Sequence, residues 1–533
     1  MISGARQAKS NWFRKLVARA MARRLTVFVV PGPDVARALG LDIEGTGLRI
    51  VDTPRHASVL LLLGELPEGL REAAAVAYSQ MPRPRAVFTV GAEDISPLPE
   101  PDVSVNMDQA SLTNGVRALR QTFAESAFDP EAEDFETKVV QEDEEDEGGM
   151  DHGHDHGHMH HDHGGGEDEE APGEREEEDE SEEKEIGEDQ LENFMSMIEM
   201  TEGMPASGDG LIMEWVPAPY GPLFPGLPGG LSLTFTLDGD MVAETEVESG
   251  IEGHSPTSIL RGPVETIAQR VAKLDPLTPV AYCLLACRAI EDAAGTQISD
   301  DEALSRVGAL ERERAASHLG WAASFGYLIG DGSLSRRAGR LQLALLQAES
   351  IEEIGRIKDE AEDFIHKAFR TPLIGSKLGG IGALDEPGAE SLSGPVGRSA
   401  VFGSDARSED TSYRRLGFST IIRHGNDALT RFRLRLQEIV QSLELVIEAG
   451  AMGNVVFQAD NACTGSGFAA VETPRGTATL RLTLSDGVIT AAELDTPSTR
   501  NVRFVETVTV GKEVADALVG VGSLDLSPWE TSP

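Results

Sequence analysis

The chain has 533 residues and a formal net charge of −44, with 90 acidic side chains against 46 basic ones. At roughly 150 residues per domain this length allows two to four domains, and the negative balance excludes a nucleic-acid backbone as partner. More than half of the excess lies between Glu131 and Asp189, where 28 acidic residues face three basic ones, so the rest of the chain is only mildly acidic.

Three cysteines, Cys283, Cys287 and Cys463, are too few for a disulfide framework and suit a reducing cytoplasm. Met1–Arg24 has a basic start but no apolar core of the signal-peptide kind. No apolar run reaches the ~20 residues of a membrane span, so membrane contact is expected only through a surface or a partner.

Residues 10–24 carry the first helical pattern. Ser10 is its N-cap, Trp12, Phe13, Leu16, Val17 and Ala20 share one face, and Arg14, Lys15, Arg19, Arg23 and Arg24 supply the charge. Such a helix fits a membrane surface or a membrane-embedded partner, and fits equally well an ordinary first helix with snorkelling arginines. Leu25–Val30, Ser58–Gly64 and Arg85–Gly91 read as buried strands, with a helix over Glu68–Gln80. Apolar strands alternating with a helix predict a parallel α/β domain, ending near Phe128.

Residues 129–209 follow as an acidic, histidine-rich linker, expected to be disordered because nothing in its low-complexity stretch can bury a core. Within it His152, His154, His156, His158, His160, His161 and His163 place seven imidazoles in a short tract. Imidazole with carboxylate suits nickel, zinc, copper or cobalt. The tract is therefore the candidate metal ligand set, for Ni or Zn, and its other reading is a solubilising linker. No cofactor is expected in the folded parts.

From Gly210 the chain is globular again. GGLSLTFTLDGDMVAETEVES reads as a hairpin turning at Asp238-Gly239. Long helices are expected over Pro263–Ala294, Asp300–Ile329, Ser333–Lys367 and Ile421–Ala449, then a second hairpin turning at Asp486-Gly487. A long-helix bundle flanked by small antiparallel sheets is an α+β architecture. Cys283 and Cys287 lie one helical turn apart among apolar neighbours, and they read as packing groups in preference to half a metal site.

Several motifs carry a family resemblance, in the family's order. Among them are PYGPLFPGLPGG, Leu-Asp-Gly-Asp at 237–240, and the helix ending in Ala289, Glu291 and Gly295. LSRVGALERERAASHLGW follows, then SGPVGRSAVFGSDAR, GNDALTRFRLRLQEIVQSLELV and EVADALVGVGSLDLSPWE. Together they resemble the large subunit shared by respiratory complex I, where it is the quinone-site or D-type subunit, and by [NiFe] hydrogenases. Pro54, Arg55, Ala57, Gly64, Tyr78, Gln80, Met81, Pro82, Pro84 and Gly91 resemble the partner small, cluster-binding or B-type subunit over about residues 10–100. The resemblance implies a fusion of the two.

The departures bear on chemistry. The small-subunit family holds its [4Fe–4S] cluster through cysteines, and no cysteine precedes Cys283 here, with Glu93 at one family cysteine position. The nickel-binding Cys-x-x-Cys pairs are replaced by EGHSPTSILRG and LDLSPWE. The quinone-binding histidine and tyrosine of complex I align near Pro228 and Pro276. The resemblance thus implies labels such as NADH-quinone oxidoreductase, NAD and quinone binding, while the metal ligands are expected to be lost.

Arg312, His318, Arg398 and Arg407 match family positions and are read as interface groups, with Asp405, Asp427, Arg431, Arg435 and Glu438 in one paired network. Arg14, Lys15, Arg19 and Arg23 are read as the contact to the membrane arm. The expected role is a redox-inactive, structural or coupling subunit on antiporter-like membrane subunits, at the cytoplasmic face of the inner membrane. The alternative is a metal-handling accessory for nickel or hydrogenase maturation.

Overall fold

Apolar strands set the first layer of the fold. Thr26–Val30 (β1), Arg49–Ile50 (β2), Val59–Leu63 (β3), Ala86–Val90 (β4) and Val103–Val105 (β5) form a parallel sheet in the order β2-β1-β3-β4-β5. Val27 lies opposite Val59, and Leu61 opposite Phe88. All five residues of β3 and of β4 are buried, as the strands of a two-sided parallel sheet must be.

Helix α2 (Glu68–Ser79, with α1 at Pro33–Ala38 between β1 and β2) covers one face of the sheet. Its Leu70, Ala74 and Ala77 meet Phe28, Leu60 and Val87. Helix α3 (Gln109–Glu125) covers the other face, setting Leu112, Val116, Leu119 and Phe123 on Val27, Leu61 and Phe88. This is the α/β layer expected from the sequence, extended by two short edge strands and by α3.

The computed structural model describes residues 19–125 and 215–531, apart from positions 21, 249, 272, 385–391, 401–403, 454 and 457–461. Arg14, Lys15 and the histidine tract 152–163 lie outside the described residues. All described residues but Trp215 belong to one compact unit.

The C-terminal part joins a helix bundle to two antiparallel sheets. Val216–Tyr220 (β6), Ser232–Asp238 (β7) and Met241–Glu248 (β8) make the first sheet, with Asp238 opposite Met241 across the expected turn. Gly262–Pro263 (β9) completes the second sheet with Gly465–Thr473 (β10), Gly476–Ser485 (β11) and Val488–Asp495 (β12), in the order β10-β11-β12-β9. Its turn residues Asp486 and Gly487 have φ of 48° and 75°, the left-handed pair that an Asp-Gly hairpin supplies.

The longer helices are α4 (Pro279–Ala294), α5 (Asp300–Leu328), α6 (Gly332–Gln347), α7 (Ile351–Phe369), α8 (Ala428–Ala449) and α9 (Val514–Leu524), with shorter ones between them. Helices α5 to α8 share one apolar core that includes Leu319, Leu345, Phe364 and Phe432. Helix α4 packs Leu284, Leu285 and Ala289 on Val471, Leu480 and Leu482 of the second sheet.

Three helix expectations need correction, each for a reason of capping. The helix expected over 333–367 is two, because Ser350 accepts from the Glu353 amide and opens α7 as a new N-cap. The helix expected from Pro263 starts at Pro279, which occupies its first turn as proline favours. The last long helix starts at Ala428, where Asp427 accepts from the Thr430 amide.

The sheet domain and the bundle meet directly. Arg37 Nε on α1 donates to Gln342 Oε1 on α6 at 3.0 Å, and Gln347 Nε2 donates to the Gly40 carbonyl at 3.1 Å. Ile251 and Trp529 of the C-terminal part complete the apolar layer under α2. Gly229 lies so near Pro31 that a Cβ there would sit 2.2 Å from the Pro31 carbonyl oxygen.

Candidate functional site

A cleft of about 770 Å³ opens along this meeting line, between α1 and the loop 223–229 on one side and α5 and α6 on the other. Asp34, Arg37, Phe224, Tyr327, Arg336 and Arg340 are among its walls. It shares Asp34 and Gly226 with a smaller recess of about 40 Å³, which reaches inward to Trp321, Arg475 and Asp525. Burial pushes the Asp34 carboxyl up, against the opposing pull of the Arg37 guanidinium.

Behind the cleft lies a buried network of charge. Glu311 on α5 receives Arg314 at 3.0 Å, Arg407 at 3.2 Å, the Tyr413 hydroxyl at 2.6 Å and the Ser442 hydroxyl at 2.6 Å. Arg407 is also held by Asp405 at 2.8 Å. Arg398 donates to Glu438 at 2.6 Å and to Glu472 at 2.7 Å, and Glu438 meets His318 Nε2 at 3.0 Å. None of these ionic side chains is more than slightly exposed.

Burial raises a carboxyl's pKa and a nearby cation lowers it. At Glu438 burial is more than reversed by Arg398, His318 and Arg407, which hold the carboxyl well below the usual range. At Glu311 burial is likewise outweighed, chiefly by Arg314 and Arg407. Burial pushes the His318 imidazole down, against the pull of Glu438. Glu313 differs: it accepts the Val280 and Ala281 amides at 2.6 and 2.8 Å, has no cationic partner among the described residues, and is pushed by burial up to about 8.

A second cluster is centred on Arg475, at the turn between β10 and β11. Its guanidinium meets Asp275 at 2.9 Å, Glu530 at 3.3 Å and Asp525 at 3.5 Å. Arg435 on α8 lies 3.6 Å from Asp525 and stacks over the Trp321 ring, 4.4 Å from its centroid.

The residues singled out from the sequence fall in different places. Arg19 and Arg23 are exposed. Arg312 caps the end of α6 through the Leu345, Leu346 and Ala348 carbonyls. His318, Arg398 and Arg407 belong to the buried network, together with Asp405 and Glu438. Asp427 caps α8, while Arg431 bonds Ser523 and the Gly382 carbonyl. All these bonds lie within the C-terminal part; the hydrogen bonds to the sheet domain include those of Arg37 with Gln342 and of Gln347 with Gly40.

Cys287 is buried, and the Cys283 thiol approaches the Val455 carbonyl at 3.4 Å. Among the described residues no three His, Cys, Asp or Glu side chains converge as metal ligands do. Glu472, Arg475, Asp275 and Asp525 escape sequence reasoning. Glu472 carries a signal, a charge in a strand otherwise apolar toward its end, where burial alternates through Ala469 and Val471 and then takes in Glu472; the other three lie in a turn, a loop and a helix end, where spacing gives none.

Comparison with known proteins bears on the same region. Residues 348–461 match the family model for the respiratory-chain NADH dehydrogenase 49 Kd subunit, a span that contains Arg398, Arg407, Arg431 and Glu438. The D subunit of NADH-quinone oxidoreductase from Geobacillus kaustophilus (strain HTA426) is 27% identical, over 57% of this chain and 95% of its own length. Its counterpart from Desulfotalea psychrophila (strain LSv54 / DSM 12343) is 25% identical, over 57% of this chain and 94% of its own.

A chain in the structure of the membrane-bound sulfane sulfur reductase, an archaeal respiratory membrane complex, superposes with a TM-score of 0.53 at 20% identity. That match covers 59% of this chain and 98% of the other, and shows a common fold. No helix among the described residues is long and apolar enough to cross a membrane. Over more than half its length, the chain is thus similar to the D subunits of NADH-quinone oxidoreductases.

Proposed function

We propose that this protein is a peripheral member of a membrane-bound, complex I-like assembly, in which it couples or caps an ion-translocating membrane module without carrying a redox centre of its own. The observation that carries the reading is the near-complete coverage of the D-type relatives by a chain whose only cysteines are Cys283, Cys287 and Cys463. The N-terminal domain stands in for the small, cluster-binding partner of that family. Its parallel sheet rests on α5 and α6 through α1, and it contains no cysteine to ligate a cluster. The buried Arg–Glu network holds the helices in one arrangement, as paired charges do when removal of either partner is costly. Docking on the membrane arm would use Arg14, Lys15, Arg19 and Arg23, at the cytoplasmic face.

The test is purification of the tagged chain from detergent-solubilised membranes, with mass spectrometry of what accompanies it and iron analysis of the anaerobic sample. Stoichiometric antiporter-like membrane subunits and an iron-free, colourless chain are expected. Recovery of the chain alone would overturn the assembly, and an iron–sulfur spectrum would overturn the redox-inactive role. The seven-histidine tract favours a second reading, a nickel- or zinc-handling accessory. In that case nickel-insertion proteins would accompany the chain in place of membrane subunits.

A further inference from the structure

At the end of the bundle where α5 turns into α6, apolar side chains stand in the open. Helix α7 returns to this end, and a short helix, Pro372–Leu378, follows it. Leu373 on that helix is 66% exposed, more than any other large apolar side chain among the described residues, and Phe369 at the close of α7 is 40% exposed. Lys377 Nζ donates to the Ile329 carbonyl at 2.6 Å and so ties the short helix to the end of α5. A groove of about 540 Å³ lies along this joint, walled by Phe224, Tyr327, Leu328, Ile381, Leu518 and Val519 among others. Lys377 and Asp516 are its only charged walls, so it is neutral and mainly apolar. Single exposed apolar groups are common on soluble proteins; a pair of them next to an open apolar groove marks a contact surface.

The charge around this pair has the opposite sign to that of the chain. From Phe364 to Leu384 there is no acidic residue, while His366, Lys367, Arg370 and Lys377 fall within that stretch and all four are exposed. The acids that border it are already engaged. Asp363 is shared by Lys367 at 2.6 Å and Arg337 at 3.0 Å, Glu362 pairs with Lys358, and the Asp331 carboxylate accepts the Ser333 and Leu334 amides at the start of α6. Exposed leucine and phenylalanine flanked by cations on long aliphatic stems suit a lipid interface. There the apolar groups enter among acyl chains while lysine and arginine stay level with the phosphates, and anionic headgroups supply the complementary charge.

We propose that this end of the bundle rests directly on an anionic lipid surface, with Leu373 and Phe369 entering it, the cations of the 366–377 stretch at headgroup level, and the groove open to an acyl chain. The contact is separate from the N-terminal helix assigned above to docking. It needs no partner subunit and no redox centre, so it stands or falls apart from the assembly and is tested on the full chain alone.

The experiment is flotation of the full chain with vesicles of phosphatidylcholine alone or mixed with an equal part of phosphatidylglycerol. Binding is expected on the mixed vesicles only, and it should weaken as added salt screens the charge. The double variant Phe369→Ser, Leu373→Ser should bind at least about tenfold more weakly, since it removes the apolar area that would leave water. Both side chains are exposed, so its melting temperature should match that of the wild type. Phe468→Ser removes a comparably exposed apolar group from β10 and should leave binding unchanged. Reversal of Arg14, Lys15, Arg19 and Arg23 to glutamate isolates the N-terminal helix, and binding that still depends on Phe369 and Leu373 should persist in that background. The proposal is overturned if the wild type ignores the mixed vesicles, which would leave the face to a protein partner, or binds phosphatidylcholine alone equally well. Undiminished affinity in the double variant, an equal loss in Phe468→Ser, or loss of all binding on the N-terminal charge reversal would overturn it too.

Discussion

The sheet domain and the C-terminal bundle are stabilised in opposite ways. Under the parallel sheet the two layers on β1, β3 and β4 are apolar, and among the described residues of that domain no ionic side chain is fully buried. In the bundle, Glu311, Arg314, His318, Arg398, Arg407 and Glu438 are sealed in the interior and lean on one another. Apolar burial is non-directional and scales with area. A paired charge is directional, and it fails abruptly when its partner is lost. The first part should therefore tolerate substitution of similar shape, and the second should not.

The sharpest way to break this contrast is Glu311→Ala, which takes from Arg314 its carboxylate, from Arg407 one of the carboxylates that hold it, and from the Tyr413 and Ser442 hydroxyls their acceptor. Urea unfolding should show a loss of about 3–5 kcal/mol. Leu61→Ala in the middle of the sheet should cost about 3 kcal/mol through lost burial and the cavity left behind. Leu61→Met, by contrast, should cost less than about 1.5 kcal/mol. If Glu311→Gln proved as mild as Leu61→Met, the two parts would not differ in kind.

A pH series sharpens the contrast further. Glu311 and Glu438 have pKa values held below the ordinary carboxylate range, so the unfolded chain binds their protons first. Their stabilisation is present above that range and is lost as pH falls through the native values. Glu313 has the opposite sign. Its native pKa near 8, against an ordinary value of 4.5, keeps in the folded chain a proton that the unfolded chain releases, so stability falls as pH rises between those limits. Glu313→Gln should flatten that decline between about pH 5 and 8 in urea midpoints. A parallel pH profile in wild type and variant would contradict the assignment. The smallest effect on the fold is expected from deleting residues 150–166. Calorimetry should then show nickel and zinc binding abolished while the metal-free melting temperature stays within a few degrees. Unchanged nickel affinity would place the metal in the folded parts instead.

Much of this architecture is legible in the residues. Uninterrupted β-branched and aliphatic runs at β1, β3 and β4 mark buried parallel strands, and two Asp-Gly pairs mark the hairpin turns. Helix α3 is harder to see although Leu112, Val116, Leu119 and Phe123 recur at helical spacing, because polar residues fill the rest of its length. The break between α6 and α7 is written in Ser350 and Glu353, a local capping signal masked by apolar periodicity that continues across it. Much of the buried network is visible as His318, Arg398, Asp405, Arg407 and Glu438. Glu472, and Arg475 of the second cluster, are not, since they sit in a strand and a turn whose inward direction only tertiary packing decides. The recess draws on α1, the loop 226–231, α5, α6, the β10–β11 turn and the end of α9, places far apart in the chain, and no spacing rule joins them.

The close approach of Gly229 to Pro31 has a consequence for inheritance. Main chain rests on main chain there, leaving no side chain that could be trimmed or enlarged to accommodate a foreign surface. A sheet domain taken from another protein would have to follow the same backbone path at position 31 before it could seat, whatever its side chains. The two parts are thereby bound to change together, and a single reading frame that delivers both in equal number to the same place is the arrangement under which such a joint is most readily kept.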